Sequence, residues 1–503
     1  MASNVLTSSI VGLDGHRVDV ECDIAPGLPA FTVVGLPDTA VQEARERVKG
    51  ALRQSDLPFP RTHVTINLAP ADLRKAGTHF DLPIAISVLT AHGDLPKCDP
   101  SERVLIGELA LDGSLRPVTG ALSSALMVKQ LGIKELILPA GNASEASLVP
   151  DIVVRAATSL RDVVAHIAGT RRLPHVEPSA RPSMTPLGTH PDLGSVRGQE
   201  FARRALEVAA AGGHNILMQG PPGSGKTLLA RAFPSILPPL SHDEALDVTR
   251  IHSVAGKLPR DGFISERPFR SPHHTASGVA LVGGGPIPRP GEISLAHRGV
   301  LFLDEFPEFN RSVLENLRQP LEDGYVTISR ANGTVSFPAR FILLAAMNPC
   351  PCGFRTDPDR PCSCTQHQLQ QYRKRISGPM LDRMDITIDV PSVPTDRLVD
   401  LEPGEMSAPV RSRACAARDR QIERYRDIGI LTNAELTSDH VRCLIQQDDA
   451  SRALLRRAVD TFRLSARAYF RILKVSRTIA DLDGADGVEE RHVAEALKYR
   501  QPL

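Results

Sequence analysis

No tryptophan occurs in the 503 residues, and the 15 phenylalanines and 5 tyrosines are the only large aromatic side chains. An extended base-stacking platform for single strands is therefore not expected. Charge of one sign is not in excess either: 59 Lys and Arg stand against 58 Asp and Glu, a formal charge of +1. That excludes a globally basic nucleic-acid binder and leaves room only for local basic surfaces. Eight cysteines in a chain of this length do not make a disulfide scaffold. No uncharged apolar run approaches the ~20 residues that a membrane helix needs. The amino terminus, MASNVLTSSIVGLDGH, has no positive region leading into an apolar core. Neither a membrane span nor a secretory signal is expected, and the location expected is cytoplasmic. What remains is an ordinary globular composition, 42% hydrophobic and 23% charged, with a mean hydropathy of -0.12. At roughly 100–200 residues per domain the length suggests about three domains.

The chain divides accordingly. Residues 1–169 mix strand-like stretches (18–24, 31–34, 64–68) with helical ones, such as 40–54 behind the possible cap Asp38. Residues 170–191 carry Pro174, Pro178, Pro182, Pro186 and Pro191. Proline at that density lacks donors for regular structure, so the segment reads as an extended linker. Residues 192–395 run strand, glycine loop, helix and buried strand, a P-loop α/β core. From 396 to 503 the pattern turns helical, with candidates at 408–427, 438–447, 451–462, 466–481 and 488–499.

The strongest motif is GPPGSGKT: Gly220, Pro221, Pro222, Gly223, Ser224, Gly225, Lys226 and Thr227. It fits G-x-x-x-x-G-K-[ST] between an apolar strand and a helix. Glycines let backbone amides approach phosphates, and the helix start favours negative charge. Lys226 would neutralise the β- and γ-phosphates of ATP, and Thr227 would place its hydroxyl on Mg²⁺. The apolar run 300–303 ends in Asp304 and Glu305, the first suited to the metal and the second to polarising the attacking water. A further buried strand, 341–347, ends at Asn348, where an amide can reach the γ-phosphate as a sensor does.

This set resembles the AAA+ ATPases, and one branch in particular. Residues 324–338 read as a hairpin about Asn332-Gly333, placed just before the sensor strand as in magnesium-chelatase and MCM-type proteins. The stretch 270–298 resembles the helix-2 insert of the same branch. Its His273-His274 pair reads as part of a pore or DNA-facing loop more readily than as a metal site. ISGPMLDRMD at 376–385 looks like the segment that carries an arginine finger, with Arg383 in the matching position; pairing with Asp382 or Asp385 is the other reading. SARA at 465–468 matches the sensor-2 position at Arg467. Together these imply a site shared between subunits, and hence a ring.

The motifs VGLPD (34–38), NLAPAD (67–72), FDLPIA (80–85), GEL (107–109) and GEISLAH (291–297) extend the likeness across the chain, which resembles the ComM/YifB family of magnesium-chelatase-like AAA+ proteins. The resemblance implies a multidomain α/β protein: a Lon-protease-like α+β N-terminal domain, a P-loop AAA+ core and an α-helical C-terminal lid. It also implies a homohexameric motor on branched or single-stranded DNA, such as a branch-migration helicase of natural transformation. A metal-insertion chelatase motor and a protein-remodelling ATPase are the alternatives. The N-terminal domain departs from Lon proteases. GTHFD at 77–81 has His79 where the nucleophilic serine belongs, and GALS at 120–123 has Ser123 where the lysine belongs. Without either group the Ser–Lys mechanism is unavailable, so no protease activity is expected.

Two further features carry chemistry. Cys350, Cys352, Cys362 and Cys364 form C-x-C, nine residues, C-x-C, a pattern that suits tetrahedral Zn²⁺; unmetallated loop cysteines and a regulatory disulfide are the other readings. Between 452 and 477 the chain has eight basic residues and one acid, Asp460, with Arg463, Arg467, Arg471 and Lys474 at helical spacing. For DNA contact the better candidates are Arg330 and Asn332 at the hairpin tip, where gripping a phosphate backbone needs no base reading.

Overall fold

The protein is described here by a computed structural model covering residues 3–177, 190–259, 262–285, 288–330, 333–357, 360–392 and 404–500. Asn332 therefore lies outside the described residues, as do 178–189 of the proline-rich segment and 393–403.

The N-terminal part begins with a four-stranded sheet in the order Ser3–Val11, Asp14–Ala25, His63–Ala69, Ala30–Val34. Along Asp14–Ala25, Val18, Val20 and Cys22 are buried while Glu21 is exposed, the alternation of a half-buried strand. Asp38 does cap the expected helix, its carboxylate accepting from Val41 N at 2.9 Å. The helix is broken at Glu43, however, into Thr39–Gln42 and Ala44–Gln54. Helix Asp81–His92 is buried along almost its whole length, which explains a sequence with no polar face. A second, parallel sheet of Arg103–Leu105, Glu135–Pro139 and Val153–Ala157 completes this part. The segment expected as linker contributes to it: Val176 N donates to Val154 O at 3.0 Å and His175 bridges Arg155. Ordered backbone thus continues past 169, because these residues find ladder partners that proline spacing alone does not reveal.

The central part is a five-stranded parallel sheet ordered Phe269–Arg270, Val300–Leu303, Ile342–Met347, Ile216–Gln219, Ile386–Asp389. Its strands are near-continuous apolar runs because both faces are covered. Ile216, Met218, Phe302, Leu344 and Ile388 face a core shared with helix Glu200–Gly212 and with the C-terminal helices. Leu217, Leu301, Leu303, Leu343 and Ala345 face Ile251, Leu281, Phe306, Phe337 and Met380 on the other side. The C-terminal helices are Ser407–Arg424, Ser438–Leu444, Asp449–Phe462, Ala466–Leu482 and Glu490–Lys498.

The N-terminal part and the motor share one of their cores. Leu240, Ala245, Val248 and Phe263 of the motor pack among Leu6, Ala121, Leu122 and Ala125. Burial of the leucine, valine and phenylalanine side chains contributes roughly 1.5–3 kcal/mol apiece. Polar contacts reinforce the junction. Arg250 Nε donates to Leu13 O at 3.0 Å, and Ser253 Oγ accepts from Gly120 N at 3.1 Å while donating to the buried Glu145 carboxylate. Burial pushes the Glu145 carboxyl above its ordinary range, and its hydrogen bonds from Ser253 and Leu122 N oppose that shift.

Candidate active site

Strand Ile216–Gln219 delivers the glycine loop to the carboxyl edge of the sheet, and helix Lys226–Ala232 leaves it. Two glycines are dictated by geometry. A Cβ on Gly220 would lie 2.1 Å from Val390 O, and Gly225 caps the helix at φ 89°, in the left-handed region. Lys226 folds back onto the loop carbonyls. Its Nζ donates to Gly220 O and Pro221 O at 2.8 Å each, and lies 3.5 Å from Asn348 Oδ1. Thr227 Oγ1 donates to Asp304 Oδ2 at 2.9 Å. Lys226, Thr227, Asp304 and Asn348, drawn from three adjacent strands, therefore meet at one point. Asp304 also fixes the next residue by accepting from Glu305 N at 2.9 Å, and Glu305 stands in the left-handed region at φ 51°. Its carboxylate is more than half exposed.

Burial lowers the Lys226 ammonium to about 8, against a smaller opposing pull from Asp304. A bound triphosphate raises the same group again, because it supplies the missing negative charge. At pH 8.5 nucleotide binding should therefore take up a proton. Calorimetry in buffers of different ionisation enthalpy should detect that uptake, and Lys226→Ala should abolish it. Equal proton uptake in the variant would place the titrating group elsewhere.

Arg383 and Arg467 are at the other end of the sheet. Arg383 precedes strand Ile386–Asp389, and its carbonyl accepts from Asn215 Nδ2 at 3.1 Å, at the amino edge. One strand of Ile216–Gln219, roughly 10 Å at 3.3 Å per residue, separates that edge from the start of the glycine loop. Arg383 is 7% exposed; it donates to Pro379 O at 2.5 Å and is paired with Glu322 rather than with Asp382 or Asp385. Arg467 Nη2 reaches the same Glu322 carboxylate at 4.0 Å. Both arginines line a cavity of about 600 Å³. The structure thus places the six expected catalytic and magnesium residues, with Lys226, in two groups, one on each edge of the sheet.

The sequence pattern missed two residues. Glu322 lies 61 residues before Arg383, on the helix Arg318–Asp323, and nothing in its neighbourhood marks it as an acceptor for two arginines. His274 was expected on a pore or DNA-facing loop; its Nδ1 lies 3.2 Å from Glu305 Oε2, beside the expected water-activating carboxylate. Of the eight basic residues of the stripe, Arg452, Arg456, Arg457, Arg463 and Arg467 are exposed, and the remaining three are engaged inside the protein. Arg471 Nε lies 3.5 Å from Asp385, Lys474 donates to Ala434 O at 3.0 Å, and Arg477 is buried against Asp481.

The four cysteines converge. Their sulfurs lie within 4.8 Å of one another, with Cys350 3.3 Å from Cys352 and 3.7 Å from Cys362, and Cys352 3.6 Å from Cys362. Metal–sulfur bonds of about 2.3 Å at tetrahedral angles require sulfurs about 3.8 Å apart. Backbone N–H groups of Phe354 and Ser363 hold the Cys352 thiol down to about 6, whereas burial pushes the Cys350 thiol up to about 12. The cluster could hold a structural metal, and the C-x-C pattern alone was enough to find it.

Comparison with known proteins places this architecture. Residues 192–398 match the family described as "Magnesium chelatase, subunit ChlI", residues 20–142 match "Subunit ChlI of Mg-chelatase", and residues 404–500 match "Magnesium chelatase, subunit ChlI C-terminal". The phosphate loop on its parallel sheet and these matches define a magnesium-chelatase-like AAA+ protein. The chain is 44% identical over 499 residues to "Competence protein ComM" of Haemophilus influenzae, covering 99% of this chain and 97% of that one. It is likewise 44% identical over 502 residues to "Uncharacterized protein YifB" of Escherichia coli, at 99% and 97% coverage. The chain belongs to the ComM/YifB family of magnesium-chelatase-like AAA+ ATPases. Membership implies ATP and Mg²⁺ as its cofactors. Among the described residues, no helix is long and apolar enough to cross a membrane.

Proposed function

We propose that the protein is an ATP-driven homohexameric ring motor that acts on branched or single-stranded DNA, as a branch-migration helicase of recombination or natural transformation. The observation that carries this reading is the division of the catalytic residues between opposite edges of the sheet. Lys226 and the loop amides hold the phosphates, Thr227 and Asp304 hold Mg²⁺, Glu305 activates water and Asn348 senses the γ-phosphate. Arg383 and Arg467 act on the nucleotide of the next subunit, leaving Glu322 as they engage it. A head-to-tail interface of that kind closes into a ring. Kinship with a protein named for competence supports DNA as the substrate. ATP hydrolysis measured with and without a synthetic four-way junction tests the reading: stimulation of several-fold is expected. A rate indifferent to junction, single strand and duplex would reject DNA and favour a protein-remodelling role.

The N-terminal domain reads as a Lon-like fold without protease chemistry. Half-buried His79, in the nucleophile's place, is fixed by Ser8 O at 2.9 Å, and burial holds its imidazole down to about 4. Ser123, in the lysine's place, is fully buried.

The cysteine cluster begins two residues beyond Asn348, so Zn²⁺ there braces the path from sensor strand to finger segment. Purified protein should contain about one Zn²⁺ per chain, lost in the Cys350→Ser, Cys362→Ser double variant. Elemental analysis that finds no zinc in the parent would remove the metal from this account.

Arg330 ends the strand Tyr325–Arg330, paired with Gly333–Pro338. In this reading it grips the DNA backbone. Arg330→Ala should therefore lose DNA stimulation and branch migration on a four-way junction, and parental branch migration in the variant would reject the grip.

A further inference from the structure

A cavity of about 870 Å³ separates the motor's hairpin from the N-terminal domain. Its walls come from the turn after Ser3–Val11, the loop 72–79, the loop 117–120, and the motor residues Arg289, Arg330 and Val335. The hairpin is seated closely here: a Cβ on Gly12 would lie 2.7 Å from Val335 Cγ1. Three arginines line this space, Arg74 from the N-terminal domain, Arg289 from the insert and Arg330 from the hairpin. All are exposed, and none of their side chains has a hydrogen-bond or ion-pair partner among the described residues.

That lack of partners distinguishes this cavity from the one at the amino edge of the sheet. There Arg267 pairs with Glu244, Arg298 and Arg340 share Glu435, and Arg383 takes Glu322. Each of those four arginines has a carboxylate partner within the chain, whereas the three between hairpin and N-terminal domain have none among the described residues. Two acids do line the space. Glu108 is engaged by the Thr78 hydroxyl and lies 3.8 Å from Arg116, which leaves Asp72 against three arginines. His79 adds no charge at neutral pH, since burial holds it near 4.

We infer that this cleft is a guide for a single DNA strand, whose phosphates are held in turn by Arg330, Arg289 and Arg74 as the strand passes from the hairpin over the N-terminal domain. The inference rests on the DNA reading above and extends it to a domain with no assigned role. Size and lining set the ligand class. At about 870 Å³ the cleft is of small-molecule dimensions, enough for a few nucleotides and too small for a duplex. Val11, Leu36, Leu73 and Val335 offer apolar surface to base faces, and among the described lining residues no Phe, Tyr or Trp is present to stack on them. Binding is thus expected to be carried by the backbone and to be indifferent to sequence. A strand held by both hairpin and N-terminal domain is gripped on two parts of one subunit, so movement of the hairpin pulls it through a fixed guide.

The test is the salt dependence of binding to fluorescein-labelled oligo(dT), read by anisotropy on the full-length protein. Each phosphate contact on a single strand contributes about 0.7 to the slope of log K against log salt. Arg74→Glu and Arg289→Glu should each lower that slope by about 0.7 or more and weaken binding several-fold. Arg74→Lys should restore the slope, and thermal melting of every variant should match the parent; Arg74→Gln replaces the charge reversal if that chain does not fold. With oligonucleotides carrying 4-thiothymidine, photocrosslinks should map to the loops 72–79 or 117–120. Unchanged slopes in Arg74→Glu and Arg289→Glu, beside a weakened Arg330→Ala, would overturn the guide while leaving DNA as the substrate. Failure of the parent to bind oligo(dT) or a junction would instead remove the DNA reading itself. Displacement of the crosslink by oligoglutamate, with no competition by unlabelled oligo(dT), would assign the cleft to an acidic peptide and overturn the proposal.

Discussion

Glu305→Gln should bind MgATP as the parent does and hydrolyse it about 10²–10⁴-fold more slowly, the usual worth of a positioned general base. The argument rests on a division of labour between two neighbouring carboxylates. Asp304 is committed: one oxygen accepts from Thr227 Oγ1 and the other from Glu305 N. Its place beside the magnesium-suited hydroxyl fits it to the metal rather than to the water. Glu305 is more than half exposed, has a left-handed backbone and pairs its carboxylate with His274. The amide of glutamine keeps the size and the hydrogen bonds but cannot accept the proton. Lys226→Ala should behave differently, losing nucleotide affinity because its ammonium is the charge that the loop presents to phosphates. Single-turnover hydrolysis with a fluorescent nucleotide separates the two effects. A Glu305→Gln enzyme that turns over ATP at the parental rate would mean that the water is activated by another group, with His274 the nearest alternative.

The parts of this site that the sequence reveals are those in which one strand end carries the chemistry. Lys226 and Thr227 follow strand Ile216–Gln219, Asp304 and Glu305 follow Val300–Leu303, and Asn348 follows Ile342–Met347. In each case an apolar run buried on both faces stops at a polar residue, and a parallel sheet places all such stops on one edge. The cysteine cluster is legible for a similar reason, since ligand spacing along a short loop constrains where the sulfurs can go. Glu322 and His274 are not legible in this way. Their importance comes from what folds onto them, Arg383 in one case and Glu305 in the other, and a local pattern carries no record of a partner from another element. The end of the basic run 452–477 misleads for the complementary reason. Asp385 and Asp481, which neutralise Arg471 and Arg477, lie outside it or beyond its end. The shared core at Val248 and Phe263 is hidden likewise, because an amphipathic helix announces that it has a buried face and not whose core that face enters.

The second large effect concerns Arg383. If Arg383 is the finger of the proposed ring, Arg383→Ala should lower ATP turnover by about 10³–10⁵, the range found when an arginine finger is withdrawn. Its distance from the glycine loop of its own chain makes the defect curable from outside. A site that draws Lys226 from one subunit and Arg383 from the next is complete whenever an Arg383→Ala subunit receives the arginine of a Lys226→Ala neighbour. In random one-to-one mixtures about one quarter of the head-to-tail interfaces meet that condition. Two proteins that are each inactive should therefore recover a measurable fraction of parental activity on mixing, once subunit exchange has been confirmed with two affinity tags. Glu322 sharpens the same test. It now accepts both Arg383 and Arg467, so Glu322→Gln weakens the hold on the two arginines without removing either. Mixtures of Arg383→Ala with Lys226→Ala, Glu322→Gln should recover at least as much activity as those with Lys226→Ala alone. Recovery in neither mixture, with exchange demonstrated, would place Arg383 in a structural pair with Glu322 and remove the shared site on which the ring is argued.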